Sequence, residues 1–433
     1  GARAYLNAGN LPTLPQAITA AWNERVEPAP FESVAPYWAF PHGLPVTEAA
    51  WRERSRRLAR QLQQVRSDAL PLESPYVMHL ARLSLMLGDH YYSSLKDQGR
   101  LNGQWSLDFY ANTSNHQGKR RLSQPLTEHL LGVTRSVGEI THHLPGMEAA
   151  LSRIARHKGF KARSRDARFR WQDKAFDLAT GLRDKSHRQG FFGVNMASTG
   201  CGKTIANGRI FYALSDPEAG ARFTIALGLR TLTLQTGQAY RERLGLGSDD
   251  LAIRVGGSAS RALFEHQQHD FGGSESRANL LDEHAHVHFE GNLGEHPLLS
   301  KAVADPHTQG LINAPVLVCT VDHLMPATES LRGGHQIAPM LRLMSGDLVL
   351  DEPDDFDTAD LPALTRLVYW AGMLGSRVLL SSATLPPSLV RGLFEAYRSG
   401  RAEYQRHRGT PGAPVHPVCA WFDEHGCTHS ECD

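Results

Sequence analysis

Nine residues, Met196-Ala-Ser-Thr-Gly-Cys-Gly-Lys-Thr204, constrain this chain more than any other segment. They read as a phosphate-binding loop with Ala197 in place of the usual leading glycine. The backbone N–H groups of Ala197, Ser198, Thr199, Gly200, Cys201 and Gly202, with the helix that follows, would cradle the β- and γ-phosphates of ATP. Lys203 would reach those phosphates, and the Thr204 hydroxyl would ligate Mg²⁺. Such a loop must lie between a strand and a helix, so an α/β sheet is implied around it.

A second motif completes the first. Leu348-Val-Leu-Asp351-Glu352-Pro-Asp354 is an apolar strand that ends in acids. Asp351 would hold the Mg²⁺ directly or through water, and Glu352 would orient the attacking water. Ser382-Ala383-Thr384 follows one strand later. One phosphate loop is moderately specific; the three motifs in this order are highly so.

Between and around them, short apolar runs alternate with helical stretches: 193–196, 223–227, 251–255, 316–321, 347–350 and 377–381. The pattern predicts a doubly wound parallel sheet with helices on both faces. Functional residues belong at the C-terminal ends of its strands, where all these motifs fall. The preceding part reads as helical, with helices expected over about 51–65, 76–97 and 125–142 and a polar loop over 98–121. The expected fold class is therefore α plus α/β: a helical region over 1–154, a RecA-like lobe over 155–400, and a linker or the start of another lobe over 401–433. Basic residues at 155–170 suggest a linker or a DNA-facing surface.

Residues 261–312 carry seven histidines and read as an insertion. His284, His286 and His288 would share a strand face, but a solvated loop is the expectation. Cys419, His425, Cys427, His429 and Cys432 match no standard zinc spacing. The formal net charge of +1 offers no global field for nucleic acid, so any DNA grip must be local. Five cysteines, an odd number with one in the phosphate loop, argue against a disulfide framework and fit a reducing cytoplasm. No apolar run reaches the roughly 18 residues of a membrane span. The chain opens on Gly1 and ends in a Cys/His-rich stretch, which suggests a fragment.

Further motifs resemble those of superfamily 2 helicases. Gln172, in Phe169-Arg-Trp-Gln, resembles the glutamine that reads adenine. Arg230 and Thr231, in Leu227-Gly-Leu-Arg-Thr-Leu-Thr, resemble motif Ia; Gly256 and Gly257 resemble the next DNA-contacting loop; Cys319-Thr320 resembles motif Ic. Small hydroxyls and backbone amides suit sequence-independent contact with a DNA backbone. Ser382, Ala383 and Thr384 resemble motif III, which couples ATP state to DNA grip. The resemblance implies a second lobe with an arginine finger. No matching motif follows Thr384 in the about fifty residues that remain, so the chain alone should bind ATP weakly and hydrolyse it poorly.

Met86-Leu-Gly-Asp89-His-Tyr-Tyr-Ser-Ser94 resembles the last motif of the HD nuclease domain in CRISPR-associated type I helicase–nucleases. Asp351-Glu-Pro-Asp-Asp-Phe-Asp357 and Ala226-Leu-Gly-Leu-Arg-Thr-Leu232 resemble the type I-F branch, whose N-terminal fusion to an adaptation protein is not seen here. The resemblance covers about residues 75–400. It implies an HD-like helical part, a divalent transition metal ligated by Asp89, and single-stranded DNA, an RNA-guided surveillance complex and adaptation proteins as partners. Leu126-Thr-Glu-His129-Leu resembles the opening HD helix, yet it follows Asp89. Either the HD fold is permuted and His129 is a ligand, or His129 belongs to a linker helix. Two ligands fall short of the four or more that such a site needs. Two other readings stay open: a superfamily 2 DNA or RNA helicase without nuclease activity, and a nucleotide-switched binding module.

Overall fold

The computed structural model describes residues 30–35, 47, 49–64, 74–95, 110–116, 119–255, 311–328, 336–357, 360–410 and 412–431. The chain divides into two compact units, 1–79 and 80–433. In the first unit α1 spans Ala49–Gln64. Its arginines recur through the helix and face water over most of its length. Helix α2, Pro75–Ser94, carries the chain into the second unit.

The second unit opens with α2 and a hairpin of β1 (Thr113–His116) and β2 (Lys119–Leu122), followed by α3, Leu126–His143. The hairpin corrects the loop expected over 98–121: its side chains are polar, so alternation gives no strand signal, but the ladder Thr113↔Leu122 to His116↔Lys119 closes it. Two glycines bring α2 and α3 close. A Cβ on Gly132 would lie 2.0 Å from the Tyr92 ring, and one on Gly88 would lie 2.5 Å from Val137 Cγ2.

The main sheet follows. Its helices are α4 (Trp171–Gln189), α5 (Lys203–Leu214), α6 (Arg230–Leu244), α7 (Ile337–Ser345), α8 (Leu361–Leu374) and α9 (Pro387–His407). Its strands are β3 (Phe191–Asn195), β4 (Phe223–Leu227), β5 (Leu251–Arg254), β6 (Val316–Thr320), β7 (Asp347–Asp351), β8 (Val378–Ser381), β9 (Val418–Phe422) and β10 (Cys427–Glu431). The spatial order is β10-β9-β3-β8-β7-β4-β6-β5, parallel throughout except for β10. The central strands are near-continuous apolar runs because both faces are covered. Phe191 packs with α4 and α5 in one core layer. Phe192 turns the other way, onto Phe394 and Tyr397 of α9. Burying a ring of this size stabilises by about 1.5–3 kcal/mol.

Residues 401–433, expected as a linker or the start of another lobe, supply two strands of the sheet: β9 lies parallel beside β3, and β10 pairs antiparallel with β9 at the sheet edge. The basic stretch 155–170 is built into the unit: Ile154 bridges to Ala221, and Phe160 is fully buried against Tyr212 and Phe223. Its arginines stay outside, so of the two expectations, linker or basic surface, the stretch is a basic surface on the folded unit.

The register then sets the site. Asn195 pairs with Ser381 and Phe422, Ser381 with Asp351, Asp351 with Leu227, and Leu227 with Thr320. The last residues of six strands form one row across the sheet, and the loops leave from that row.

Candidate functional site

The phosphate loop runs from the end of β3 to the start of α5. Gly200 (φ 82°) and Gly202 (φ 81°) both take the left-handed conformation, which other residues adopt only under strain. At Gly200 a Cβ would meet nothing within 4 Å, so the space outside it is open. At Gly202 a Cβ would lie 2.5 Å from Gln172 Nε2 and 3.2 Å from the Phe169 ring. Gly202 caps α5 without a side chain, so the first amides of the helix face outward toward any anion placed there. Glycines that leave room, an uncapped helix start and a lysine at its first turn fit a triphosphate.

Side chains hold the loop in this shape. Ala197 is buried, and its N–H donates to Asn195 Oδ1 at 3.3 Å. Ser198 donates its N–H to Glu424 Oε2 at 3.0 Å and its hydroxyl to Glu424 Oε1. Trp171 Nε1 donates to the Cys201 carbonyl at 3.0 Å. Gln172, 5% exposed, donates to the carbonyls of Cys201 (3.4 Å) and Gly202 (3.2 Å). The Gln172 amide, expected to read adenine, thus stands on the loop itself. Ser198 and Thr199 are exposed, and Thr204 is half-buried with its carbonyl accepting from Tyr240 Oη at 2.8 Å.

Asp351 ends β7 at 6% exposure, and burial pushes its carboxyl up to about 6. Glu352 follows in the left-handed region (φ 53°), a costly backbone for a non-glycine residue and one often found where function demands it. Its N–H donates to the Ser381 carbonyl at 2.7 Å, which fixes the turn, and its Oε1 lies 3.1 Å from Lys203 Nζ. Asp354 Oδ2 accepts from the Thr384 hydroxyl, and Thr384 N–H donates to Ser382 Oγ at 3.2 Å. Ser382 is buried and Ala383 half-buried. The acidic strand end and the Ser-Ala-Thr turn are therefore in direct contact, and the acidic end also reaches the phosphate loop. Thr204 and Asp351 fit a divalent cation by donor type, two hard oxygens beside the phosphate cradle.

The other residues singled out fare differently. Arg230 and Thr231 open α6 just past β4, on the same edge. Thr320 is 2% exposed, so its hydroxyl lies inside the sheet and not on a surface that a DNA strand would follow. Gly256, Gly257, His284, His286, His288 and Cys432 lie outside the described residues. Cys419 is buried on β9, while His429 is exposed on β10. Among the described residues no group of three or more His, Cys, Asp or Glu side chains could hold a metal.

Asp89 and His129, forty residues apart, are brought together: His129 Nε2 lies 3.0 Å from Asp89 Oδ1. Gln124 sets the ring. Its Nε2 donates to the Tyr92 carbonyl at 2.8 Å, so its Oε1, 2.9 Å from His129 Nδ1, accepts from that nitrogen. Nε2 then meets the carboxylate only with a proton or a cation between them. Two donors do not make a metal site, and no cleavage step is derived from them.

Sequence reasoning missed Glu424, Trp171, Asn195 and Asn207. Glu424 and Trp171 touch the loop through tertiary packing, whereas Asn195 bonds Ala197 two residues on. For Asn207 the one available signal is a polar residue on the buried side of the helix after Lys203.

No family model matches the chain. It is 58% identical over 427 residues, 97% of its length, to the CRISPR-associated nuclease/helicase Cas3 subtype I-F/YPEST of Pseudomonas aeruginosa (strain UCBPP-PA14). It is 51% identical over 407 residues to the protein of the same name from Pectobacterium atrosepticum. The chain spans 39% of the first relative's length and 36% of the second's. The crystal structure of T. fusca Cas3-AMPPNP covers 70% of this chain, and 31% of that structure is covered, at TM-score 0.41 and 17% identity, a superposition that by itself assigns nothing. On its sequence identity across nearly all its residues, this chain belongs with the CRISPR-associated type I helicase–nucleases, and most closely resembles their subtype I-F branch.

Proposed function

We propose that this chain carries the first motor lobe of an ATP-driven DNA helicase that works with an HD-type nuclease in degrading foreign DNA. The observation that carries the reading is the meeting of Lys203 with Glu352, beside Asp351, at the ends of β3 and β7. ATP is the substrate. Amides of residues 199–204 would bind its phosphates and Lys203 would neutralise them. Mg²⁺, held by Thr204 and Asp351, would supply charge neutralisation for the phosphoryl group in flight. Glu352 would orient the attacking water once Lys203 turns to phosphate. Gln172 and Trp171 would keep the loop from collapsing. Thr384, bonded to Asp354, would pass the state of the site to DNA held on the same edge through Arg230 and Thr231; Gly256 and Gly257 are further DNA contacts that the family resemblance implies.

The nuclease half rests on the relatives' names and on the Asp89–His129 pair, which would contribute two ligands to a transition-metal site. Single-stranded DNA, an RNA-guided surveillance complex and adaptation proteins are the partners that the family suggests. Among the described residues no helix is long and apolar enough to cross a membrane.

The test is ATP turnover by the full-length protein with and without single-stranded DNA, with Lys203→Ala as control. Stimulation by DNA that the substitution removes is expected. Nucleotide binding without any turnover favours a nucleotide-switched binding module, and turnover without DNA cutting favours a helicase lacking nuclease activity.

A further inference from the structure

Beneath the phosphate loop lies a line of buried polar side chains that the motifs do not account for. Asn195, Asn207 and Ser381 are each 0% exposed. Asn195 ends β3, Asn207 sits one turn into α5, and Ser381 ends β8. Asn195 Nδ2 donates to Asn207 Oδ1 at 2.7 Å. Asn207 Nδ2 donates to Ser381 Oγ at 2.8 Å and to Asp351 Oδ1 at 3.4 Å.

The direction of this line is fixed from both ends. At one end the Ala197 N–H can only donate, so Asn195 Oδ1 must face it. Asn195 Nδ2 then faces Asn207, whose oxygen must accept and whose Nδ2 must point onward. At the other end an Asp351 carboxylate can only accept. The two constraints agree, so neither amide can flip without leaving a buried group unpaired, at a cost of about 1–3 kcal/mol. The Ser382 N–H adds a third tie, donating to the Asn195 carbonyl at 3.1 Å. A pair that only filled the core would have no reason to end on the one buried carboxylate of the nucleotide site.

We propose that Asn207 is a positioning residue for nucleotide hydrolysis: it aims the Asp351 carboxylate, and through Asn195 it ties that aim to the first residue of the phosphate loop. This rests on the reading of Asp351 as the residue that holds Mg²⁺. Asn207 itself lies below the loop, touches Asp351 and Ser381, and acts through them. Losing such a support behind a ligand typically weakens metal affinity by about 10–100-fold.

Two measurements on the full-length protein test this: binding of a fluorescent ADP with Mg²⁺ present and with Mg²⁺ chelated, and ATP turnover as Mg²⁺ is varied. Asn207→Asp keeps the size and the acceptor for Asn195 but removes the donor; Asn207→Leu removes both. Each should raise the Mg²⁺ concentration for half-maximal turnover by about tenfold or more, while the Mg²⁺-free nucleotide affinity stays within about twofold of wild type. A residue that only filled the core would weaken both affinities together, or lower the melting temperature and leave the Mg²⁺ dependence alone; either result overturns the proposal. If both variants fail to fold, Asn195→Asp decides. It retains the acceptor for Ala197 and loses the donor to Asn207, so a smaller shift in the same direction is expected, and an unchanged Mg²⁺ dependence overturns the proposal. A wild-type protein whose nucleotide binding ignores Mg²⁺ would sink the assignment of Asp351 itself, a failure distinguishable from that of Asn207.

Discussion

Lys203 Nζ stands 3.1 Å from Glu352 Oε1, with the two side chains 10% and 31% exposed. This contact joins the phosphate loop to the acidic strand end, and each group is the countercharge of the other. A triphosphate on the loop would compete with Glu352 for Lys203, and its arrival would release the carboxylate toward water. Substitutions of the two residues should therefore be non-additive.

Lys203→Ala should weaken Mg²⁺-nucleotide binding by about 10- to 100-fold, the worth of one hydrogen bond to a charged group. The thermal unfolding midpoint should hardly move, because the ammonium faces the site and not the core. Calorimetric titration checks the first, and a melting curve the second. Wild-type affinity would mean that the loop binds something else.

Glu352→Gln should keep nucleotide affinity and cut single-turnover hydrolysis by about 10²–10⁴, the range for loss of a positioned general base. Rapid-quench kinetics on the full-length protein would show it. An unchanged rate would hand the water-orienting role to another group.

Asp351→Asn should abolish turnover and stabilise the fold at neutral pH. Burial holds the Asp351 carboxyl at about 6, above the usual carboxylate range, so the folded state grips this proton harder than the unfolded state does. The stability contributed by the protonated form is complete below about pH 4 and is lost as pH rises through about 6. At pH 7 the uncharged amide should gain about 1–3 kcal/mol over the carboxylate. Denaturant titrations without Mg²⁺ should show that advantage shrinking as pH falls through 6. An advantage that does not depend on pH would show that Asp351 is not titrating.

Asp89→Ala and His129→Ala should each stop cutting of single-stranded DNA by the full-length protein and spare its ATP turnover. Their 3.0 Å contact makes them one unit, so the double variant should be no worse than either alone. Undiminished cutting in both would return the pair to holding α2 against α3.

The main sheet was legible because its strands are apolar on both faces and its loops carry glycine, lysine and acids in a fixed order. Lys203, Asp351 and Glu352 could be singled out from their motifs, and the structure brings Glu352, next to Asp351 at the end of β7, against Lys203. Glu424 could not: it reaches Ser198 across 226 residues, and nothing local marks it. The β1–β2 hairpin was illegible because its residues do not alternate in polarity. Thr320 is a further case, since a hydroxyl at a strand end reads as exposed in the sequence while packing buries the residue. Asp89 and His129 were singled out separately, but only the packing of α2 on α3 shows that they touch.

The position of β3 has a consequence for synthesis. Its two partners, β8 and β9, begin at residues 378 and 418. A ribosome finishes β3 long before either partner exists, and both of its edges wait unpaired while the intervening sequence emerges. Closure of contacts so distant along the chain is slow, and an open strand edge invites pairing with other chains. The strand that leads into the phosphate loop thus waits longest of its sheet for both neighbours, and the nascent chain is most exposed to aggregation there.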